Sequence, residues 1–259
     1  MKQLAVNDKK IGLALGGGAT LGAVHIGVLK ALDEAGIKID CVAGTSIGAL
    51  VSAFFAFRKN YDFIQDIALN MEWDDIASIS ISKYGLFDNT KIEELVETHL
   101  GKVEFEKAEI PLAFVATDIL NGEKVILNKG RVAKAVAASC CIPGVFRPIE
   151  LEHRLLVDGG LVENVPISPL KEMGADIIIA VDLSSGSSYE KPNNFFDILM
   201  NSYQTSMLSK TKMQTKGVDL LISPDLDDFS AIDTDQTKDL IEIGYQSAKQ
   251  KIAVWLMGC

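Results

Sequence analysis

Short aliphatic and β-branched runs along this chain alternate with stretches in which apolar residues return every three or four positions, the pattern of strands alternating with helices. Ile11–Leu15 predicts a first strand, followed by a glycine turn and a helix from about Gly22 to Ala35. Cys41–Gly44 predicts a second strand, running into a helix from Ser46 to about Phe57. Helical periodicity returns over 61–73 and over 88–100, the latter opening on Asp88, Asn89 and Thr90 as candidate caps. Leu112–Asp118 and Lys124–Leu127 predict neighbouring strands across an Asn121-Gly122 turn. Residues 131–139 predict an alanine-rich helix and 155–157 a brief strand. Ile177–Asp182 is almost continuously apolar, as a strand covered on both faces would be.

This order predicts an α/β fold of three layers, α/β/α, around a largely parallel central sheet. No Pro- or Ser-rich linker divides the chain apart from the polar stretch Ser184–Asn194, and there is no internal repeat. The expectation is one domain over residues 1–259, with the motif-bearing core at about 11–183.

Composition narrows the class. The 259 residues are 48% hydrophobic and 23% charged, which excludes disordered, collagen-like and coiled-coil proteins. The formal charge of −10 argues against a nucleic-acid partner, which needs a basic face to displace counterions from phosphates. From Asp219 onward there are eight acidic and three basic residues, half of the excess, so the remainder is nearer neutral and transient contact with a membrane surface stays open. The longest apolar run, ALVSAFFAF, is about half of the ~20 residues that a membrane span needs. MKQLAVNDKK has no apolar secretion core, so a soluble, cytoplasmic chain is expected. Cys140 and Cys141 are adjacent and lack zinc-ligand spacing, and with Cys41 and Cys259 they are expected to be reduced and mostly buried.

The strongest chemical signal is Gly44-Thr45-Ser46-Ile47-Gly48, a G-x-S-x-G sequence between a predicted strand and a predicted helix. A nucleophilic serine needs a sharp turn that exposes its hydroxyl, and flanking glycines let the backbone bend there. The helix N-terminus then favours developing negative charge. A nucleophile also needs a base. In an α/β-hydrolase triad the order is serine, acid, histidine, yet of His25, His99 and His153 only the last two follow Ser46, and none lies beyond residue 153. His153, in the charged turn Glu152-His153-Arg154, reads as a solvated hairpin tip, and His25, inside an apolar helix, as a packed core residue. The remaining candidate base is Asp158 in Val157-Asp158-Gly159-Gly160; taken alone, an Asp before two glycines is equally a turn former. Gly16-Gly17-Gly18 between strand and helix offers backbone N–H groups to an anion, either a phosphate or an acyl-transfer oxyanion. The spacing Gly16, Gly18, Gly22 is one residue too long for a dinucleotide fingerprint, which weakens a nucleotide-binding reading.

Glycine loop, serine elbow and late Asp-Gly-Gly stand in one chain in the stretches LALGGGATLGAVHIGVLKALDEAGI, AGTSIGAL and ASCCIPGVFRPIELEHRLLVDGGLVENVPISPLKEMGADIIIAVDL. In motif order and separation the sequence resembles the patatin-like phospholipases of the bacterial type, over residues 11–57 and 135–183. The resemblance implies a Ser–Asp dyad that hydrolyses lipid acyl esters without metal or cofactor. Ser46 would be the nucleophile, Asp158 the general base, and the N–H groups of Gly16, Gly17 and Gly18 the oxyanion hole, with Gly44, Gly48, Gly159 and Gly160 supporting the motifs. One departure stands out: Leu21 occupies the position of the family's usual basic residue, with Ala19 and Thr20 where Gly and Ala are usual. That bears on phosphate-headgroup preference, and it leaves a catalytically weak lipid- or anion-binding regulator as the alternative reading.

Two further segments carry rival readings. Asn194–Lys216 combines Phe195, Phe196, Ile198, Leu199, Met200, Tyr203, Met207, Leu208 and Met213 with Lys210, Lys212 and Lys216. It could form an acyl groove or an interfacial face, but its periodicity predicts an ordinary core-facing helix with lysines complementing its C-terminal dipole. The acidic run Asp225, Asp227, Asp228, Asp233, Asp235 lacks the glycine and glutamate of an EF-hand and reads as a solvated loop.

Overall fold

The computed structural model describes residues 9–71, 78–82, 85–184 and 191–258. Strand β1 (Ile11–Leu15) runs through the glycine loop and a 3-10 turn (Ala19–Ala23) into helix α1 (Val24–Glu34). β2 (Cys41–Thr45) leads directly into α2 (Ile47–Ala56), followed by α3 (Tyr61–Asn70), β3 (Ser78–Ser82), β4 (Gly85–Asp88) and α4 (Thr90–Leu100). Next come β5 (Leu112–Asp118), β6 (Glu123–Leu127), α5 (Val132–Ser139), and the short strands β7 (Gly144–Phe146), β8 (Ile149–Leu151) and β9 (Arg154–Asp158). The chain continues through α6 (Ile167–Glu172), β10 (Ile177–Val181), α7 (Phe195–Gln214), β11 (Leu220–Ile222) and α8 (Thr237–Met257).

The main sheet has the order β11-β10-β1-β2-β5-β9-β8, with β6 also paired to β5, while β3, β4 and β7 form a small second sheet. Pairing is parallel from β11 through β5 and antiparallel where β6, β8 and β9 join. Alternate residues of the parallel strands serve two cores, as the period of two requires. Leu13, Leu15, Val42 and Ile179 face the larger core, built with α1, α2, α5 and α8. Ala14, Ala43, Ile178 and Ala180 face a smaller one against Val165, Ile167 and Leu170 of α6 and its approach. Every residue of β1, β2 and β10 is buried, so the expected largely parallel three-layer sheet is the observed one, with one layer much thinner than the other.

The junction on β5 positions the site. β2 pairs with β5 up to Thr45 opposite Val115, and β9 pairs with it from Asp158 opposite Ala116. β6 pairs with Phe114–Asp118, so it occupies the other edge of β5, and β2 and β9 must share one edge. The ends of a parallel and an antiparallel strand therefore meet there, and they carry Thr45 and Asp158 on adjacent rungs.

Four local expectations change. Residues 19–23 form a 3-10 turn, so α1 opens at Val24 rather than Gly22. Asn89 does not cap α4 with its side chain: Asp88 Oδ1 accepts the Thr90 N–H at 2.8 Å, while the Asn89 amide turns inward and donates to Cys141 Sγ and Arg147 O. The periodicity over 61–73 yields a helix ending at Asn70, and residues 72 and 73 lie outside the described residues. Asn194–Lys216 does contain a helix, but α7 is not core-facing: Phe195 is 81% and Met213 72% exposed, and Thr211 is the one fully buried residue among those described on it. Its inward stripe is narrow, and Ser202, Thr205, Ser206 and Ser209 stay on the opposite, more open side, so no wide apolar face exists to sink into the core.

Candidate active site

Ser46 sits at φ 55 and ψ −127 between β2 and α2, a left-handed backbone position that residues with a Cβ rarely adopt. The strand and helix fold back on each other so tightly that a Cβ on Gly44 would lie 2.3 Å from Gly48 O, and α2 starts so close to β1 that one on Gly48 would lie 2.1 Å from Leu15 O. Contacts from distant parts of the chain over-determine this strained turn. The Ser46 N–H donates to Ser139 Oγ at 2.9 Å, and Ser139 Oγ in turn donates to Val115 O at 2.6 Å. Thr45 Oγ1 donates to Glu163 O at 3.0 Å.

Asp158 ends β9 and is 1% exposed. Its backbone is held by its own N–H donating to Cys141 O and by Thr117 Oγ1 donating to its carbonyl, both at 2.8 Å. Its Oδ1 accepts the Gly160 N–H at 2.7 Å, possible because a Cβ on Gly159 would strike Val115 O at 2.3 Å and only glycine lets the turn close there. Burial pushes the carboxyl up to about 6, opposed by the Gly160 N–H and by the hydroxyls of Ser46 and Tyr203, which favour the ionised form. Neither hydroxyl closes a full hydrogen bond on Oδ2, which is buried and unpartnered. The thiol of Cys140, at the end of α5, stands within hydrogen-bonding reach of the Ser46 hydroxyl and is held neutral by burial, with Asp158 adding to the effect.

The glycine loop lies against this pair: a Cβ on Gly17 would come within 3.1 Å of Ser46 Cβ. Its first two N–H groups already have acceptors. Gly16 N donates to Val181 O at 3.1 Å, and Gly17 N donates to Asn164 O and Oδ1 at 3.3 and 3.2 Å. Among the described residues the N–H groups of Gly18, Ala19 and Ile47 have no acceptor. His25 is buried, as expected, but is more than packing: its Nε2 is 2.8 Å from Gly16 O and donates to it, and burial keeps the ring neutral by pulling it down to about 4. Ala19 takes the left-handed φ of 51 where the resembled family usually has glycine. Leu21 packs against the large core next to Gly18, so the loop's rim is apolar there. An apolar cavity lies beside the elbow, lined by Ala19, Gly22, Ile47, Leu50, Phe54 and Ile67 among others.

The other candidates stay apart from this cluster. His99 stacks edge-on against Phe54 and Phe63, with ring centroids 5.9 and 5.6 Å away. His153 is exposed in the β8–β9 turn with φ 64. Asp225 and Asp233 each accept the N–H two residues on, forming turns within the acidic run. Cys41, Cys140 and Cys141 are buried free thiols, and Cys259 lies outside the described residues. Sequence reasoning missed Ser139, Asn164, Tyr203 and the clamp made by His25, because each acts through a contact across the fold rather than through a local spacing. Ser139 and Asn164 do fall within the stretches that carry the family resemblance; Tyr203 does not.

The family model for patatin-like phospholipases matches residues 13–171, a span that holds the glycine loop, the elbow and the Asp-Gly-Gly turn. The chain belongs to the patatin-like phospholipase family. An uncharacterized NTE family protein of Mycobacterium tuberculosis is 37% identical over 185 residues, 70% of this chain and 51% of that protein. The neuropathy target esterase sws of Drosophila melanogaster is 33% identical over 198 residues, 73% of this chain and 14% of its own length. A lysophospholipase NTE1 of Scheffersomyces stipitis is 25% identical over 283 residues, covering 96% of this chain and 18% of that protein. This patatin-like chain thus spans about half of the mycobacterial relative and a smaller part of the eukaryotic ones. In fold it is similar to VipD of Legionella pneumophila, with a TM-score of 0.57 at 14% identity over 95% of this chain and 67% of that one. It is also similar to ExoU of Pseudomonas aeruginosa, with a TM-score of 0.56 at 14% identity over 96% of this chain and 53% of that one. Among the described residues, no helix is long and apolar enough to cross a membrane.

Proposed function

We propose that this protein hydrolyses lipid acyl esters, of the phospholipid or lysophospholipid class, through a Ser46–Asp158 dyad. The observation that carries the reading is the junction on β5, which sets a buried carboxylate with an unpartnered Oδ2 beside the serine of a strained elbow. Asp158 Oδ2 takes the Ser46 proton as the serine oxygen attacks the ester carbonyl carbon. The carbonyl oxygen becomes an oxyanion, met by N–H groups that have no internal acceptor: those of Gly18, Ala19 and Ile47, rather than the occupied ones of Gly16 and Gly17. Collapse of the intermediate breaks the ester C–O bond, and Asp158 returns its proton to the leaving alkoxide. Water then attacks the acyl-serine, giving a proton to Asp158; collapse of this second intermediate breaks the acyl C–O bond to Ser46, Asp158 returns the proton to Ser46 Oγ, and the free acid leaves. The apolar cavity next to Ile47, about 50 Å³, has room for only a short part of an acyl chain beside the nucleophile. Family membership and the relatives named as esterase and lysophospholipase support the same class. Phe195, Ile198 and Met213 are exposed on α7, which packs on the turn after Asp158, and this supports transient contact with a lipid surface.

A fluorophosphonate probe tests the reading. The wild type should label at Ser46 and release fatty acid from lysophospholipid. Ser46→Ala should abolish both, and Asp158→Asn should slow labelling by about a hundredfold or more, the scale of a lost general base. A folded wild type that neither labels nor turns over acyl esters overturns the proposal.

A further inference from the structure

Helix α7 meets the rest of the molecule mainly at the turn that follows Asp158. Leu199, Tyr203 and Met207 recur every four residues and so share one face. A Cβ on Gly160 would fall 2.6 Å from Tyr203 Oη and 3.1 Å from Met207 Sδ, and a Cβ on Gly144 would fall 3.1 Å from Leu199 Cδ2. Lys210 Nζ donates to Leu161 O at 2.6 Å and Gln214 Nε2 to Val162 O at 2.7 Å, anchoring the helix to the carbonyls just past the candidate base. The one polar group on this face that reaches the dyad is the Tyr203 phenol, which neighbours the Asp158 carboxylate and is held protonated by burial and by that carboxylate.

We propose that Tyr203 is a positioning residue for the base: its hydroxyl, which stands beside the carboxylate short of a closed bond on Oδ2, donates to it once the carboxylate is ionised and, with the Gly160 N–H, orients it so that Oδ2 faces Ser46. This rests on the dyad reading above. In a histidine triad the carboxylate orients the imidazole. Here no imidazole stands in the cluster, and the carboxylate itself must be oriented. The groups facing it are the Gly160 N–H from its own turn, Ser46 from the elbow, Cys140 and Cys141 from the end of α5, and Tyr203 from α7. Both thiols are kept neutral by burial, and Ser46 is the reacting group, which leaves the phenol as the side-chain donor that can stay in place through the reaction. The coupling also ties α7 to the chemistry, because the base is fully set only when this largely exposed helix is docked.

Tyr203→Phe keeps the ring and removes the donor, so the pH dependence separates orientation from packing. In kcat/KM for a short acyl ester, the acid limb should move up by roughly half to one unit, as loss of a hydrogen bond to a carboxylate requires. KM should change little, and part of the lost rate should return at higher pH. A uniform loss at every pH, or an unmoved acid limb, overturns the proposal. Met207→Leu alters the same helix face without touching the phenol and should leave the midpoint in place; a shift as large as that of Tyr203→Phe would assign the effect to helix docking and also overturn it. Carbon-13 titration of the Asp158 carboxyl, its signal assigned through Asp158→Asn, should show the same upward shift in Tyr203→Phe. That measurement needs no turnover. A wild type that fails to label defeats the hydrolase reading, while an unshifted carboxyl midpoint defeats the Tyr203 contact separately.

Discussion

Ser46 is held in a backbone conformation that a residue with a Cβ avoids, and the Ser139 hydroxyl is one of the contacts that hold it there. Ser139 Oγ accepts the Ser46 N–H and donates its own proton to Val115 O, which bridges the elbow, the end of α5 and the middle of β5. Ser139→Ala would leave a buried N–H and a buried carbonyl without partners, at a cost of about 1–3 kcal/mol. The expected outcome is a lower urea midpoint with an unchanged slope, together with slower probe labelling at Ser46 at pH 7. Labelling at the wild-type rate in a destabilised variant would show that the strained turn holds without this bond. Ser46 and Asp158 were legible as candidates because the proposed nucleophile and base each sit in a short motif whose glycines follow from sterics. Ser139 was not, because its role is set by a partner 93 positions away, and nothing in Ala-Ser-Cys-Cys announces a bond to a distant N–H. The glycine loop was legible as an anion site but not donor by donor: β10 and Asn164 consume the first two N–H groups, a fact of tertiary packing.

At the scale of elements, α8 is the longest element that the apolar pattern did not predict, alongside the short β3, β4, β7, β8, α6 and β11. The buried positions of α8, Thr237, Leu240, Ile241, Gly244, Ala248 and Ile252, include Gly244 and Ala248 in mid-stripe, so the stripe lacks the bulky periodicity that marks a helix. The small residues are what its partner requires. α1 and α8 cross so closely that a Cβ on Gly27 would meet Ile241 O at 2.0 Å and one on Gly244 would meet Val24 O at 2.2 Å. Backbone cannot move aside as a side-chain tip can, so Gly244→Ala should push the helices apart and cost about 1–3 kcal/mol or more. α1 also carries His25, whose ring holds the glycine loop by the Gly16 carbonyl. The same variant should therefore slow fluorophosphonate labelling although residue 244 does not touch the site; a destabilised variant with unaltered labelling would show the loop to be independent of α8. α7 was legible as a helix but not in its placement. Apolar spacing reports that a face is covered, and in this helix the narrow covered face lies on the Asp158 turn instead of the core.

The molecule as a whole buries two displaced acid–base groups, Asp158 at the end of β9 and His25 against the glycine loop, and their effects on folding oppose each other. Burial raises Asp158 from 3.8 to about 6, so the folded state holds a proton there that the unfolded chain releases. Its stabilising contribution is complete below about pH 4 and is lost as pH rises through 6. Burial lowers His25 from 6.5 to about 4, so the unfolded chain holds a proton that the folded state refuses. Its contribution is present above about pH 6.5 and is lost as pH falls through 4. Over one shared window folding thus moves a proton from histidine to aspartate with little net uptake, and these two groups leave stability nearly flat. Replacing either should uncover the other. Asp158→Asn, compared with wild type, should gain stability as pH rises from 4 to 7, by roughly 3 kcal/mol for a displacement of this size. His25→Gln, whose amide can still donate toward Gly16 O, should show its deficit at pH 7 shrink by a similar amount toward pH 4. Urea unfolding of the three proteins at half-unit pH intervals reads both differences. If the Asp158→Asn difference is the same at pH 4 and pH 7, the carboxyl is not held up by burial. The base would then lack the basicity that the proposed reaction needs, so the stability curve tests the chemistry without a substrate. The direction of the gain also matters: a carboxylate whose ionised form lowers stability at pH 7 is a cost that packing alone would not retain, and proton transfer from Ser46 is the use that the geometry offers for it.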